Sequence, residues 1–176
     1  MDKELPVLTG QRVALRPFME GDIDDRYIGW LNDPRVVRFS NQRFRHHDRI
    51  SCLSYLRSFM GTNNYFVNIQ RRTDGRSIGT MTAYVAAPHA TADVGIMIGE
   101  PEAWGHGYGL DAFTLLCDWL LADLSLRKVT AGTAEPNVGM IRIMERYGMH
   151  REAVRAAQEL IEGREVDVLY YARFRD

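Results

Sequence analysis

From residue 11 to residue 17 the chain alternates, with Val13, Leu15 and Pro17 set against Arg12, Ala14 and Arg16. A period of two is the signature of a half-buried strand. Asp22 to Leu31 then reads as a helix, stopped by the turn-forming Asn32-Asp33-Pro34. A second helix is expected from about Asp48 to Met60, with Ile50, Leu53, Leu56 and Met60 on one side and Gly61 as its C-terminal cap. The middle reads as strands. Tyr65 to Arg71 and Ser77 to Ala86 are joined by the turn Thr73-Asp74-Gly75-Arg76, and Ala92 to Gly99 follows the Pro88-His89-Ala90 break. Leu110, Phe113, Cys117, Leu120, Leu121 and Leu124 then recur at helical spacing and predict a long amphipathic helix. A strand at 128–133, a helix from about Val138 to Tyr147 closed by Gly148, and a hairpin around Glu162-Gly163-Arg164 complete the pattern. The order β, α, α, three meandering strands, α, β, α, β, β predicts a mixed α/β or α+β domain, its long helix crossing over between two strands.

Composition changes this picture little. The length of 176 residues suits one compact domain with a real core, and no Gly/Ser/Pro-rich linker divides it, so residues 1–176 are expected to form a single domain. The 22 basic and 23 acidic residues nearly cancel, which gives no electrostatic drive toward nucleic acid or an anionic membrane. The N-terminal residues lack the apolar core of a signal peptide, and no apolar run approaches a membrane span; a cytoplasmic location is expected. Cys52 and Cys117 have no spacing that suggests a disulfide framework or metal site. His46 and His47 are adjacent, without the i, i+4 spacing of a helical ligand pair, and no metal is implied.

The chemistry concentrates in Trp104-Gly105-His106-Gly107-Tyr108-Gly109, where a strand ending at Ile96-Met97-Ile98-Gly99 passes through a loop into the long helix. The first turn of a helix carries unpaired N–H groups and partial positive charge, so it is a ready phosphate site. Three glycines at alternate positions let the backbone approach phosphate oxygens as a nest of amides. The spacing departs from Gly-x-Gly-x-x-Gly, and no Gly-Lys-Ser/Thr follows, so neither a dinucleotide fold nor a P-loop is indicated. A helix start that needs glycine only for tight packing is the competing explanation of such a loop.

With its context, the loop resembles the acetyl-CoA loop of the GNAT acetyltransferase superfamily, whose Gln/Arg-x-x-Gly-x-Gly/Ala signature joins a strand to a helix. Gly107 and Gly109 match it, while Trp104 stands where Gln or Arg is common. Trp-Gly-x-Gly-Tyr is similar to the variant in the ribosomal-protein alanine acetyltransferase branch. The stretch from Asn137 to Glu145-Arg146-Tyr147-Gly148-Met149 resembles the superfamily's later motif, a helix that begins at Asn and ends at Gly-Phe. The resemblance implies a mostly antiparallel central sheet flanked by helices and splayed where acyl-CoA lies. Ile96, Met97 and Ile98 would offer backbone groups to the pantetheine arm, and one of their N–H groups would polarise the thioester carbonyl. Trp104, Gly105, His106, Gly107, Tyr108 and Gly109 would hold the diphosphate, and Asn137 would touch the arm or simply cap its helix.

The implied reaction is direct attack of an amine on acetyl-CoA. An alkylamine is mostly protonated at neutral pH, so a base is needed. Glu135 is the first candidate, and Asp93 the second; each could instead be a plain charge at an element end. Met144 occupies the position where many relatives carry a tyrosine, Met140 that of a small residue beside CoA, and no general acid is assigned. For the acceptor, Trp30 to Pro34 followed by Arg38 to Arg43 is similar to acyltransferases of nucleotide-linked amino sugars, whose phosphates Arg38, Arg43, Arg45 and Arg49 could meet. A protein N-terminal alanine acceptor and a non-catalytic acyl-CoA sensor are the alternatives. The last hairpin, with Val166, Val168, Leu169 and Tyr171, is placed to complete the sheet or to pair two copies of the chain as a homodimer.

Overall fold

The computed structural model describes residues 3–175. Its strands are β1 (Leu8–Thr9), β2 (Val13–Pro17), β3 (Tyr65–Arg71), β4 (Ser77–Ala86), β5 (Thr91–Ile98), β6 (Lys128–Ala134), β7 (His150–Ile161) and β8 (Arg164–Phe174), and its helices are α1 (Asp25–Asn32), α2 (Arg49–Arg57), α3 (Tyr108–Ala122) and α4 (Val138–Tyr147). The strands form one sheet in the order β1-β2-β3-β4-β5-β6-β8-β7, antiparallel except at β5–β6. The last hairpin completes this sheet, β8 pairing with β6.

The predicted order holds, and the differences lie at helix ends and faces. α1 begins at Asp25, because Asp24 caps it by accepting from the Tyr27 N–H at 2.8 Å, while Asp22 stays outside and binds Arg16. α2 starts where expected, through a capping box in which Asp48 and Ser51 bond each other's backbone N–H. It ends at Arg57, before Gly61, and its buried residue is Cys52; Ile50 and Met60 are 79% and 75% exposed. β1 went unpredicted, since two residues carry no readable period.

Alternation along the strands divides the core between the two faces of the sheet. On one face, Phe113, Leu116, Cys117 and Leu120 of α3 and Met140, Met144 and Tyr147 of α4 pack against Val13, Leu15, Met81, Val94 and Val129. On the other, Tyr27, Trp30 and Leu31 of α1 and Cys52 of α2 pack against Phe18 and Phe66, with Met97 beside them. Ala92 and Val94 are buried in the first layer, so Asp93, Gly95 and Met97 face the second.

The feature that positions the site is the β5–β6 junction. All eight residues of β5 pair with β4, from Gly79↔Ile98 to Ala86↔Thr91, but β6 is in register with only Thr91, Ala92 and Asp93. Beyond the Asp93↔Thr130 pair the two strands part, while β6 continues against β8 to Ala134. One edge of β5 from Val94 to Ile98 therefore lies along a gap, its main-chain groups left without a sheet partner.

Candidate active site

The gap ends at the loop that was expected to hold phosphate. Gly105 and Gly107 adopt left-handed φ values of 78° and 82°, and Gly107 is the N-cap of α3. Among the described residues no side chain caps that helix start, which leaves its first N–H groups directed outward. Trp104 takes a structural part here: its indole N–H donates to the Ile98 carbonyl at 2.8 Å and ties the loop to the end of β5. The Ile98 carbonyl is thus engaged within the chain. A cradle of loop amides beside an open strand edge fits a diphosphate followed by an extended amide-bearing arm, as acyl-CoA provides.

Gly109 has a packing role, since a Cβ there would stand 2.9 Å from Ile143 Cδ1 of α4. Asn137 is a helix cap in this structure. Its Oδ1 accepts from the Met140 N–H at 3.3 Å and its amide donates to Thr133 Oγ1 at 2.9 Å. Gly107→Asp should raise the acetyl-CoA KM about tenfold or more, because it combines left-handed strain with a carboxylate among amides that attract anions. An unchanged KM in initial-rate kinetics would remove the loop from the donor site.

On the α1–α2 face, a cavity of about 370 Å³ opens onto Gly95, Ile96 and Met97, the residues along the gap. Its walls include Tyr27, Thr82, Arg45, His47, Ser51 and Tyr55, and among the described residues no Asp or Glu lines it. A larger space of about 860 Å³ lies on the other side of α2 against Leu53, Leu56 and Phe59; no residue of β5 borders it, so it is set apart from the gap.

The segment at 40–47 is held over the smaller cavity by Asn32. The Asn32 side chain donates to the His47 carbonyl at 2.8 Å and accepts from the His47 N–H at 2.9 Å. His47 Nε2 is buried without a hydrogen-bond partner, and desolvation lowers the pKa of the ring, favouring the neutral imidazole. The Tyr55 and Tyr84 hydroxyls bond each other at 2.8 Å, and burial raises the pKa of Tyr55. In the sequence His47 reads only as a poor metal ligand and Tyr55 carries no signal at all, because only the Asn32 clamp and the α2 packing bring them to the gap.

The arginine stretch is mostly committed elsewhere. Arg35 pairs with Asp33, Arg38 with Glu162, Arg43 with Glu159 and the Leu160 carbonyl, and Arg49 with Glu20 and the Ile23 carbonyl. Arg45 alone of these lines the cavity. Trp30 is also structural: its ring packs on Gly99, where a Cβ would lie 2.0 Å from Cδ2. His89 does not line the cavity, and His106 sits on the loop surface beside Tyr108.

The two carboxylates occupy different places. Asp93 stands at the vertex where β5 and β6 part, on the face shared by Gly95 and Met97, and accepts from Thr130 Oγ1 at 2.7 Å. Asp93 keeps solvent contact, and the surrounding strands still desolvate it enough to raise its pKa, outweighing that hydrogen bond. Glu135 follows the far end of β6, five residues beyond Thr130 and so about 16 Å along the strand. Its backbone N–H donates to the Asp167 carbonyl, and its side chain is exposed. Tyr147 is turned inward, its hydroxyl donating to Asp118 at 2.8 Å. Burial raises the pKa of both the Cys52 and Cys117 thiols, so neither is an activated nucleophile. No group of His, Cys, Asp and Glu suited to a metal occurs among the described residues, and no helix there is long and apolar enough to cross a membrane.

Residues 12–150 match the family described as "Acetyltransferase (GNAT) domain". The chain belongs to the GNAT acetyltransferases. The acyl donor used by these enzymes is acetyl-CoA, which agrees with the amide cradle and the open edge of β5. This acetyltransferase is 23% identical over 166 residues to a Bacillus subtilis (strain 168) protein named "Probable N-acetyltransferase YjcK", covering 89% of this chain and 91% of that protein. Its fold is similar to that of a Vibrio cholerae spermidine N-acetyltransferase in complex with CoA and spermine, with TM-score 0.82, 18% identity and coverage of 93% of this chain and 95% of that one. It is similar, too, to a Vibrio fischeri ribosomal-protein-S5-alanine acetyltransferase, with TM-score 0.81, 16% identity and 97% coverage of each chain.

Proposed function

We propose that this chain acetylates the primary amine of a small acceptor that also carries anionic groups, such as a nucleotide-linked amino sugar. The observation that carries this reading is the composition of the cavity on Gly95–Met97. Among the described residues it contains hydroxyls, imidazoles and the Arg45 guanidinium but no carboxylate. A polycation would find a single carboxylate, Asp93, beyond the edge of the cavity and none in its walls, whereas phosphate or carboxylate oxygens would find Arg45. With Arg38, Arg43 and Arg49 paired elsewhere and outside the cavity wall, Arg45 is the arginine of this segment placed to meet an anionic acceptor.

In the proposed reaction the donor supplies a thioester at the gap. Backbone N–H groups on the free edge of β5 at Ile96 and Ile98 bond the arm, the Met97 N–H being turned to β4 by the alternation of the antiparallel ladder, and one of the two stabilises negative charge on the acyl oxygen. Asp93 accepts a proton from the acceptor amine as its nitrogen bonds to the acyl carbon and the carbon–sulfur bond breaks. The departing thiolate takes its proton from water. Asp93 is preferred to Glu135 because the gap closes at Asp93 and the acceptor cavity opens two residues away, about 7 Å along the same strand.

Thiol release from acetyl-CoA, followed with a 4-amino sugar nucleotide, spermidine and a peptide beginning with alanine, tests the assignment. Turnover is expected with the sugar nucleotide and not with the other two. Turnover of the peptide alone would replace the reading with a protein N-terminal acetyltransferase. Preference for spermidine would contradict the argument from the missing carboxylates. Acetyl-CoA binding without turnover of any amine would identify a sensor.

A further inference from the structure

The loop cradle has a neighbour that the sequence pattern does not single out. Asp111, in the first turn of α3, accepts hydrogen bonds from the backbone N–H groups of Gln11, Arg12 and Val13 at 3.3, 2.7 and 3.0 Å. Its own N–H donates to the Gly107 carbonyl at 3.1 Å. One carboxylate therefore fixes the start of β2 against the start of α3. Gly10 permits the approach, since a Cβ there would lie 2.6 Å from Asp111 Oδ2. The consequence is that the Arg12 side chain crosses the loop, with its Nε 3.5 Å and its Cδ 3.7 Å from the position a Cβ would take on Gly107.

The charges around it are already matched. Arg71 pairs with Asp74, Arg76 with Glu100, and Arg72 donates to the Gly10 and Gln11 carbonyls. The Asp111 oxygens are turned to main-chain N–H groups, and Arg12 forms no side-chain ion pair among the described residues. An unpaired guanidinium held beside an amide nest is suited to a phosphate group, which it can bind through several N–H donors at once.

We propose that Arg12 is a donor-binding residue that contacts the diphosphate of the acyl-CoA donor, adding a charged contact to the loop amides. This rests on the acetyl-CoA reading of the Trp104–Gly109 loop. The experiment compares wild type, Arg12→Ala and Arg12→Lys with acetyl-CoA, 3′-dephospho-acetyl-CoA and acetyl-pantetheine, at low and high salt. Arg12→Ala should raise KM about tenfold for the first two donors, equivalent to about 1.4 kcal/mol. The increase should shrink at high salt and be absent with acetyl-pantetheine, and Arg12→Lys should recover part of the loss.

An unchanged KM for acetyl-CoA in Arg12→Ala overturns the proposal while leaving the donor reading intact. An increase confined to acetyl-CoA would move the contact to the 3′-phosphate and overturn the diphosphate assignment. An equal increase with acetyl-pantetheine would mean that the substitution disturbs the gap and not a phosphate contact. Wild-type protein without affinity for acetyl-CoA would overturn the donor reading, and the role of Arg12 with it.

Discussion

Asp93→Asn is expected to lower kcat about a hundredfold while leaving the acetyl-CoA KM near its wild-type value, whereas Glu135→Gln should change kcat by less than about threefold. The contrast follows from position. Asp93 lies at the closed end of the gap, on the face where Gly95 and Met97 border the acceptor cavity, while Glu135 is at the opposite end of β6. The pH profile supplies a second readout. A base acts in its ionised form, so the wild-type rate should carry a limb that rises with pH through the raised pKa of Asp93, followed at higher pH by the rise that deprotonation of the amine gives. Asp93→Asn should lose that limb and show only the rise that follows deprotonation of the amine itself. A hundredfold loss in Glu135→Gln with a near-normal Asp93→Asn would assign the base to Glu135 and place the reacting atoms nearer the loop.

Gly79→Ala should destabilise the protein by about 3 kcal/mol, which for a chain of this size lowers Tm by roughly 6–12 °C in a calorimetric scan. The added Cβ would stand 2.2 Å from the Met97 carbonyl oxygen and 3.0 Å from Ile98 Cα. Both are backbone atoms of the strand paired across from it, so no rotamer change can relieve the contact. The strand that would move is β5, and the acetyl-CoA KM should rise together with the loss of Tm. Gly29→Ala is the control. Gly29 lies inside α1 with open space around its Cα, and alanine there should raise stability by roughly 0.5–1 kcal/mol through helix propensity. A Gly79→Ala protein with wild-type Tm would show that β4 and β5 can separate locally at no cost.

Much of this protein is determined by local sequence. The period of two over residues 11–17, the period of 3.6 through Phe113, Cys117 and Leu120, and the glycines at 105, 107 and 109 state the elements and the donor loop without reference to distant residues. These signals are readable because each depends on neighbours within one or two turns of chain. Tertiary structure decided what local pattern cannot express. It turned Ile50 and Met60 outward, because the buried side of α2 is set by contact with Phe66 and α1. It assigned Trp104 to the Ile98 carbonyl and Asn137 to its helix cap, committed Arg38 and Arg43 to the tip of the last hairpin, and brought Arg45 and His47 to the gap through an Asn32 clamp spanning 15 residues. It also separated the two carboxylates that the sequence offered together, because β6 leaves β5 after Thr130. Helices, strands and the phosphate loop follow from near-neighbour chemistry, while the acceptor site is built from side chains that only long-range packing makes adjacent.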